Sequence, residues 1–246
     1  MKLQESSLEL WLLVSLLFVI RYLILAGIPF LFYYVLIEKK VRGKKIQKKR
    51  PDKKQILKEI LYSLVSLLLY GTGIWLFLDW LQSGITLHYG AISDYGIAYF
   101  IVSFLLMVII HDTYFYWTHR LIHHKKLFSL VHKVHHQFTN PTPWAAFSFH
   151  PLEAIISMGV IPVIIFCIPW HQNALIVFIT FMTLYDVYIH LGYNIEQLYL
   201  GKWQNSAADH NYHHQNARVN YGLYFTFWDR LMGTYKKSKK TQLLDG

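Results

Sequence analysis

Eight of the fourteen histidines fall into three tight clusters: His119-x-x-x-His123, His132-x-x-His135-His136 and His210-x-x-His213-His214. Spacings of three and four place side chains on one face of an α-helix, a turn apart. An i, i+4 pair lies ~6 Å apart along the helix axis, the spacing by which zinc enzymes with an H-E-x-x-H helix hold their metal. The H-x-x-H-H form adds an i+3 position, so that one helix can reach two ions. One ion accepts about four to six ligands, and eight imidazoles exceed that, so the expectation is a two-metal centre. His150, in Phe149-His150-Pro151, and His190, at the end of an apolar stretch in Asp186-x-x-x-His190, are candidates nine and ten.

Imidazole is neutral when it binds a metal. Two divalent ions held only by histidine would leave about four positive charges beside a low-dielectric medium, so carboxylates should gather around them, orienting the ring N–H groups. Asp112, Glu153, Asp186, Asp209 and Asp229 are near enough in sequence, with Asp186 and Asp209 the first choices. Imidazole suits iron, zinc, copper and nickel, and spacing does not choose among them. Zinc would give hydrolysis or a structural role, iron the activation of O2. The single Cys167 excludes an intrachain disulfide, a Cys-ligated iron–sulfur cluster and a Cys-rich zinc site. Electrons for redox chemistry must then come from another protein or cofactor.

The elements that carry these residues are apolar. Only 15% of residues are charged, against ~25% in typical soluble domains. Crossing a bilayer takes ~20 apolar residues. Residues 8–37 exceed that length and carry Arg21, so this span is expected to tilt or to break near Gly27 and Pro29. It is too long for the apolar region of a signal peptide and reads as a retained membrane segment. Residues 60–81 and 97–117 form the second and third spans, the third running into the first histidine cluster. Residues 153–168 and 175–191 form the fourth and fifth; the fourth is short, contains Pro162 and could be re-entrant. The fold class expected is an all-α membrane bundle of about four to five segments, one domain over residues 1–246, with a histidine-rich two-metal cap.

The net charge of +10 is concentrated. Residues 39–58 hold eleven Lys and Arg, and Lys236, Lys237, Lys239 and Lys240 add a basic tail. Between apolar spans this pattern reads as positive-inside topology rather than as a nucleic-acid surface. With residues 39–58 in the cytoplasm, alternation brings residues 119–150, His190 and the third cluster to that same side. His88 and His171 fall on the other side and are excluded. His124 points about 100° away from His123, and His111, two turns before His119, reads as a buried structural histidine.

Three segments together resemble the fatty acid hydroxylase superfamily of membrane di-iron oxygenases: His119-Arg120-Leu121-Ile122-His123-His124, His132-Lys133-Val134-His135-His136 and Ala208-Asp209-His210-Asn211-Tyr212-His213-His214. Residues 141–153 (PTPWAAFSFHPLE) and 221–230 (YGLYFTFWDR) look most like its sterol C5-desaturase branch. The likeness covers roughly residues 97–236. It implies an oxidoreductase with two iron ions, O2 as co-substrate and a membrane lipid, sterol-like or acyl, as substrate. Hydroxylation and desaturation would share one set of ligands, and the position of the substrate carbon would decide between them. The histidines that match the boxes, and to which the resemblance assigns metal binding and catalysis, are His119, His123, His132, His135, His136, His210, His213 and His214; His150 and His190 match histidines that the pattern often adds. Members with a further histidine four residues before the His190 position have Asp186 there in this chain. Nothing resembles a fused cytochrome b5 domain, so an external donor of cytochrome b5, ferredoxin or reductase type is expected. Trp144, Phe147, Phe149, Tyr188 and Tyr193 could line a lateral substrate channel or serve as ordinary packing. The competing expectations are a zinc-dependent membrane lipid hydrolase and a non-enzymatic metal-binding or transport protein. The latter would place polar groups along several spans, whereas these histidines cluster at one end.

Overall fold

Backbone surrounded by hydrocarbon must pair its own N–H and C=O groups, and the apolar stretches accordingly fold as helices. The structure, a computed structural model, describes residues 7–242. Its helices are, in order, α1 (Ser7–Leu31), α2 (Glu38–Val41), α3 (Lys53–Gln82), α4 (Gly96–Ile122), α5 (Phe128–Val131), α6 (Lys133–His136), α7 (Pro151–Met158), α8 (Val160–Cys167), α9 (Gln172–Ile189), α10 (Ala207–Gln215), α11 (Phe227–Leu231) and α12 (Lys239–Gln242). Among the described residues there are isolated β-bridges but no strand. Among the described residues four helices are long and apolar enough to cross a membrane: Leu8–Leu36, Lys53–Leu78, Gly96–Ile122 and Gln172–Ile189. The chain is a multi-pass membrane protein, and rows of exposed leucine and isoleucine on α1 and α4 supply its lipid-facing surface.

The expected break near Gly27 and Pro29 does not occur. The helix runs through both, and the turn after Pro29 widens to a π-helix over Phe32–Leu36. Proline removes one N–H and crowds the carbonyl of the turn before it, and a wider turn absorbs both effects. Gly27 has a separate reason: a Cβ there would lie 3.1 Å from the Trp144 ring. Between helices in lipid, close packing of small residues replaces the hydrophobic drive available in water. At Gly71 of α3 an added Cβ would come within 2.2 Å of Ser15 Oγ of α1, so glycine sets that spacing.

The short fourth segment is broken into α7 and α8 around Gly159. The segment runs on to the far end of the bundle. Trp170 N–H donates to the Leu87 carbonyl and Tyr89 N–H to the Trp170 carbonyl, at the end of the bundle away from the histidine clusters. His88 and His171 lie at that far end, as the alternation of spans predicts. Met107, Ile164 and Phe178 knit α4, α8 and α9 into one core. A second core joins Tyr22, Leu67, Phe147 and Phe149 across α1, α3 and the segment after the second cluster.

The basic segment packs on the histidine end. Gln47 Nε2 donates to the Thr139 carbonyl at 2.7 Å and to Asn211 Oδ1 at 2.8 Å. Asn140 Nδ2 donates to the Lys49 carbonyl at 2.6 Å, and Ile46 N–H to the Gly192 carbonyl at 2.9 Å. Residues 39–58 and all three clusters therefore share one end of the bundle.

Candidate metal centre

Nine imidazoles converge where the spans end. His119 sits in the last turn of α4, and His123 caps that helix. His132, His135 and His136 ride on the turn joining α5 to α6 and on α6 itself. His190 closes α9, and His210, His213 and His214 line the buried face of α10, whose first turn is capped by Ser206 Oγ accepting from Asp209 N–H at 3.1 Å. They form two groups, within each of which one ligand atom per residue lies within 4.8 Å of all the others. The first holds His119, His123, His132, His136 and His213; the second holds His135, His190, His210 and His214. In both H-x-x-H-H clusters the i and i+4 histidines join one group and the i+3 histidine joins the other. Each of those segments thus serves both groups, as the spacing predicts.

The outer ring nitrogens fix which way the lone pairs face. A carbonyl only accepts, so a ring nitrogen bonded to one carries the proton, and Nε2 is left as an acceptor. His119 Nδ1 donates to the Tyr221 carbonyl at 2.8 Å, His213 Nδ1 to the Val219 carbonyl at 2.7 Å and His190 Nδ1 to the Asp186 carbonyl at 2.8 Å. Their Nε2 atoms point inward and approach one another. In the first group His119 Nε2 lies 3.0 Å from His132 Nε2 and 3.1 Å from His123 Nε2, and His136 and His213 are 3.1 Å apart at the same atoms. In the second, His190 Nε2 lies 3.3, 3.0 and 3.2 Å from those of His135, His210 and His214. Two ring nitrogens at such distances need a proton or a cation between them, and where four or five imidazoles converge a single cation can serve them all at once. A metal–nitrogen bond of ~2.1 Å would space adjacent ligands by roughly 3.0–3.4 Å in octahedral or tetrahedral arrangement. The residues present therefore fit metal ions, one for each group.

Electrostatics agree. Burial, reinforced by neighbouring imidazoles, lowers His136 to about 3 and holds His123, His132, His135, His210, His213 and His214 below the ordinary histidine range. Neutral imidazole is the form that binds metal.

The carboxylates sort differently from the first choices. Glu153 Oε1 lies 2.6 Å from His132 Nδ1, close in distance but without the alignment of a hydrogen bond. Asp186 Oδ1 lies 3.3 Å from His190 Nδ1. Asp209 touches no imidazole: its Oδ1 accepts from Ser238 N–H and Thr241 Oγ1, each at 2.8 Å, and fastens the C-terminal segment to α10. Asp229 accepts from the N–H groups of Tyr221 and Gly222, and Asp112 from those of Tyr224 and Phe225. These two hold the loop whose carbonyls orient His119 and His213, and so act at one remove. In that loop Asn220 takes φ +59°, a conformation asparagine tolerates, while a Cβ at Gly222 would come within 2.4 Å of the Phe225 carbonyl oxygen.

His150 stands outside both groups. Its Nδ1 accepts from Leu152 N–H at 3.2 Å, and the residue is the N-cap of α7 with Pro151 at the first helical position. The polar residue just before that proline is a cap signal which proximity to the second cluster obscured. His111 Nδ1 pairs with Tyr224 Oη at 2.8 Å, the structural role expected of it. The two orienting carbonyls, of Val219 and Tyr221, carry no side-chain signal and were not legible.

A cavity opens directly on the imidazoles, lined by His119, His132, His135, His190 and His210 together with Glu153, Asp186, Phe115 and Phe149. It shares His111, Phe115, Phe149, Ser157 and Asp186 with a second, mainly apolar cavity running away between the helices. Of the five candidate aromatic residues, Phe147 and Phe149 line this path; Trp144 instead packs against Gly27 and Tyr22, Tyr188 against Tyr185 and Tyr193 against Tyr34.

Residues 104–234 match the model of the fatty acid hydroxylase family, more than half of the chain. The chain is 35% identical over 173 residues to a Delta(7)-sterol 5(6)-desaturase of Aspergillus fumigatus, covering 62% of this chain and 54% of that one. It is 32% identical to human lathosterol oxidase (58% and 48% covered) and 39% identical to methylsterol monooxygenase 1 of Danio rerio (54% and 46% covered). The match spans about half the length of these relatives. No solved structure matches the chain. The chain belongs to the fatty acid hydroxylase family.

Proposed function

We propose that this family member is an O2-dependent membrane oxidoreductase that removes hydrogen from an unactivated C–H bond of a lipid, sterol-like or acyl, with two iron ions held by the nine clustered histidines. The observation that carries the reading is the convergence of two imidazole groups, with Nε2 atoms 3.0–3.3 Å apart within each, beside a mainly apolar cavity. The named relatives are sterol desaturases and sterol oxidases, which favours a sterol-like substrate.

When bound, iron would supply the O2 reduction and the oxidising power that C–H cleavage needs. Hydroxylation converts a C–H bond, O2, two electrons and two protons into an alcohol and one water. Desaturation converts two adjacent C–H bonds with the same inputs into an alkene and two waters. Both need two electrons from an external donor. The chain's own part is to hold, orient and exclude. Carbonyl-fixed Nδ1–H groups keep His119, His190 and His213 in the tautomer that presents Nε2 inward. Phe115, Phe147 and Phe149 keep water away from the path by which an apolar substrate arrives. Glu153 and Asp186 are the carboxylates in the wall beside the imidazoles, placed to offset positive charge there. The shared end of the basic segment and the histidines supports a cytoplasmic orientation of the centre.

Comparative mass spectrometry of total lipids tests the proposal. One host strain makes the wild type and its twin the His135→Ala variant, in air. A lipid one oxygen heavier, or two hydrogens lighter, in the wild type alone supports it and distinguishes the two outcomes. Iron in the purified wild type is required as well; zinc in its place, with a hydrolysed lipid, would overturn the oxidative reading.

A further inference from the structure

Arg21 is a charge within the bundle that the histidine chemistry leaves unused. It lies inside the span Leu8–Leu36, about 20 Å from either end at ~1.5 Å per residue. That is farther than an arginine side chain extends, so the guanidinium cannot reach the headgroups by snorkelling. It stays charged and offers five N–H donors and no acceptor. Among the described residues no hydrogen bond or ion pair joins it to an acceptor: the face of the Phe18 ring lies 4.8 Å from the guanidinium carbon, and the nearby Tyr70 hydroxyl is hydrogen-bonded to Ser157. A cation so placed in a membrane is costly and marks a binding role.

Its position supplies the ligand. Arg21 stands where two cavities meet, sharing Phe18, Ile74 and Ile179 between them. The outer cavity, of about 540 Å³, leads to the far end of the bundle at His88 and Gln172. The inner one is narrow, about 70 Å³, with apolar walls, and abuts the cavity at the imidazoles through Phe149 and Asp186. The passage therefore has a donor-only cation partway along it and the histidine groups at the end away from His88. Asp186, the acid in the same passage, is turned to His190.

We propose that Arg21 binds the oxygen-bearing end of the lipid substrate and thereby sets which carbon reaches the histidine groups. The inference rests on the lipid-oxidase reading above. The ligand it implies is an otherwise apolar molecule with one acceptor group at its end, a hydroxyl or a carboxylate. Such an oxygen supplies the acceptor that the protein does not, while the apolar body matches the walls. With one end held, distance along the passage selects the carbon attacked.

The test is retention of four tritiated probes by the purified iron-loaded protein in detergent: cholesterol, cholest-5-ene (the same skeleton without the hydroxyl), palmitate and hexadecane. Wild type should retain one oxygen-bearing probe at least about tenfold better than its oxygen-free counterpart, the scale of a hydrogen bond to a charged group. Whichever pair shows the preference names the hydroxyl or the carboxylate. Arg21→Met should abolish the preference, leave the oxygen-free probes unchanged and keep its iron; Arg21→Lys should keep part of it. If Arg21→Met loses iron, Arg21→Gln takes its place, and the same loss of preference is required. An undiminished preference in the neutral variant, or a wild type that binds both members of each pair alike, overturns the proposal. A wild type that binds none of the four overturns the lipid reading along with it.

Discussion

The first histidine group takes five imidazoles, including both from the end of α4, and has Glu153 against His132. The second takes four, with His190 where the first has its α4 pair, and Asp186 beside it is held less closely. The same two segments, around α6 and α10, feed both groups. The asymmetry therefore comes from the ends of two spanning helices: α4 ends on two histidines a turn apart, while α9 ends on one, with an aspartate a turn before it. A metal in the second group would have fewer protein ligands and more room for another molecule. The difference teaches that helix ends, not the repeated H-x-x-H-H spacing, decide how open each subsite is.

Acid should erase the difference altogether. Burial holds the seven shifted imidazoles that lie beyond the ends of the spanning helices below the ordinary histidine range, with His136 at about 3. Between about pH 6.5 and 3 the unfolded chain then binds more protons than the folded one, so stability falls as pH drops through that window. Thermal melts and metal release followed together from pH 7 to 4 should show both ions leaving with unfolding. Release of one ion well before unfolding would contradict this.

Single ligand deletions should expose the asymmetry. His135→Ala leaves the second group three imidazoles, and the purified protein should carry about one ion instead of two, with turnover lost. His136→Ala leaves the first group four and should retain more metal. Equal losses in the two variants would break the five-to-four comparison. Glu153→Gln should weaken metal retention about 10- to 100-fold, measured by chelator competition, because it replaces the carboxyl oxygen that lies against His132 Nδ1. Asp186→Asn should cost less, since the Asp186 backbone carbonyl, which survives the change, is the closer partner of His190. At the small end, His150→Ala should leave the metal content unchanged and cost about 1 kcal/mol as a lost helix cap, read as a lower melting temperature.

Much of this was legible in the sequence because it depends on local spacing. The apolar runs gave the spans, and the charge at residues 39–58 gave the end on which the clusters meet. The i, i+3, i+4 pattern gave two groups from one helix. What could not be read depends on contacts distant in the chain. By sequence Asp209, next to His210, ranks ahead of Glu153 as a neighbour of the imidazoles. Which one meets an imidazole depends on the C-terminal segment folding back onto Asp209 and on α7 turning Glu153 inward beneath His132. The carbonyls of Val219 and Tyr221 are backbone atoms aimed by Asn220, Gly222 and Asp229, and no composition reports them. The continuity of α1 through Pro29 depended on a wider turn that propensity does not foresee.

In each of the two H-x-x-H-H segments, the histidine at i+3 serves the opposite group from its neighbours at i and i+4. The two subsites are thus mechanically geared: whatever draws His132 and His136 into register around one ion also sets the rotation of the segment that presents His135 to the other, and α10 transmits the same constraint in reverse. Loading is then a property of the pair. At limiting metal the wild type should hold fewer singly filled molecules than two independent sites would give, whereas a deletion that cripples one site leaves the other to fill alone.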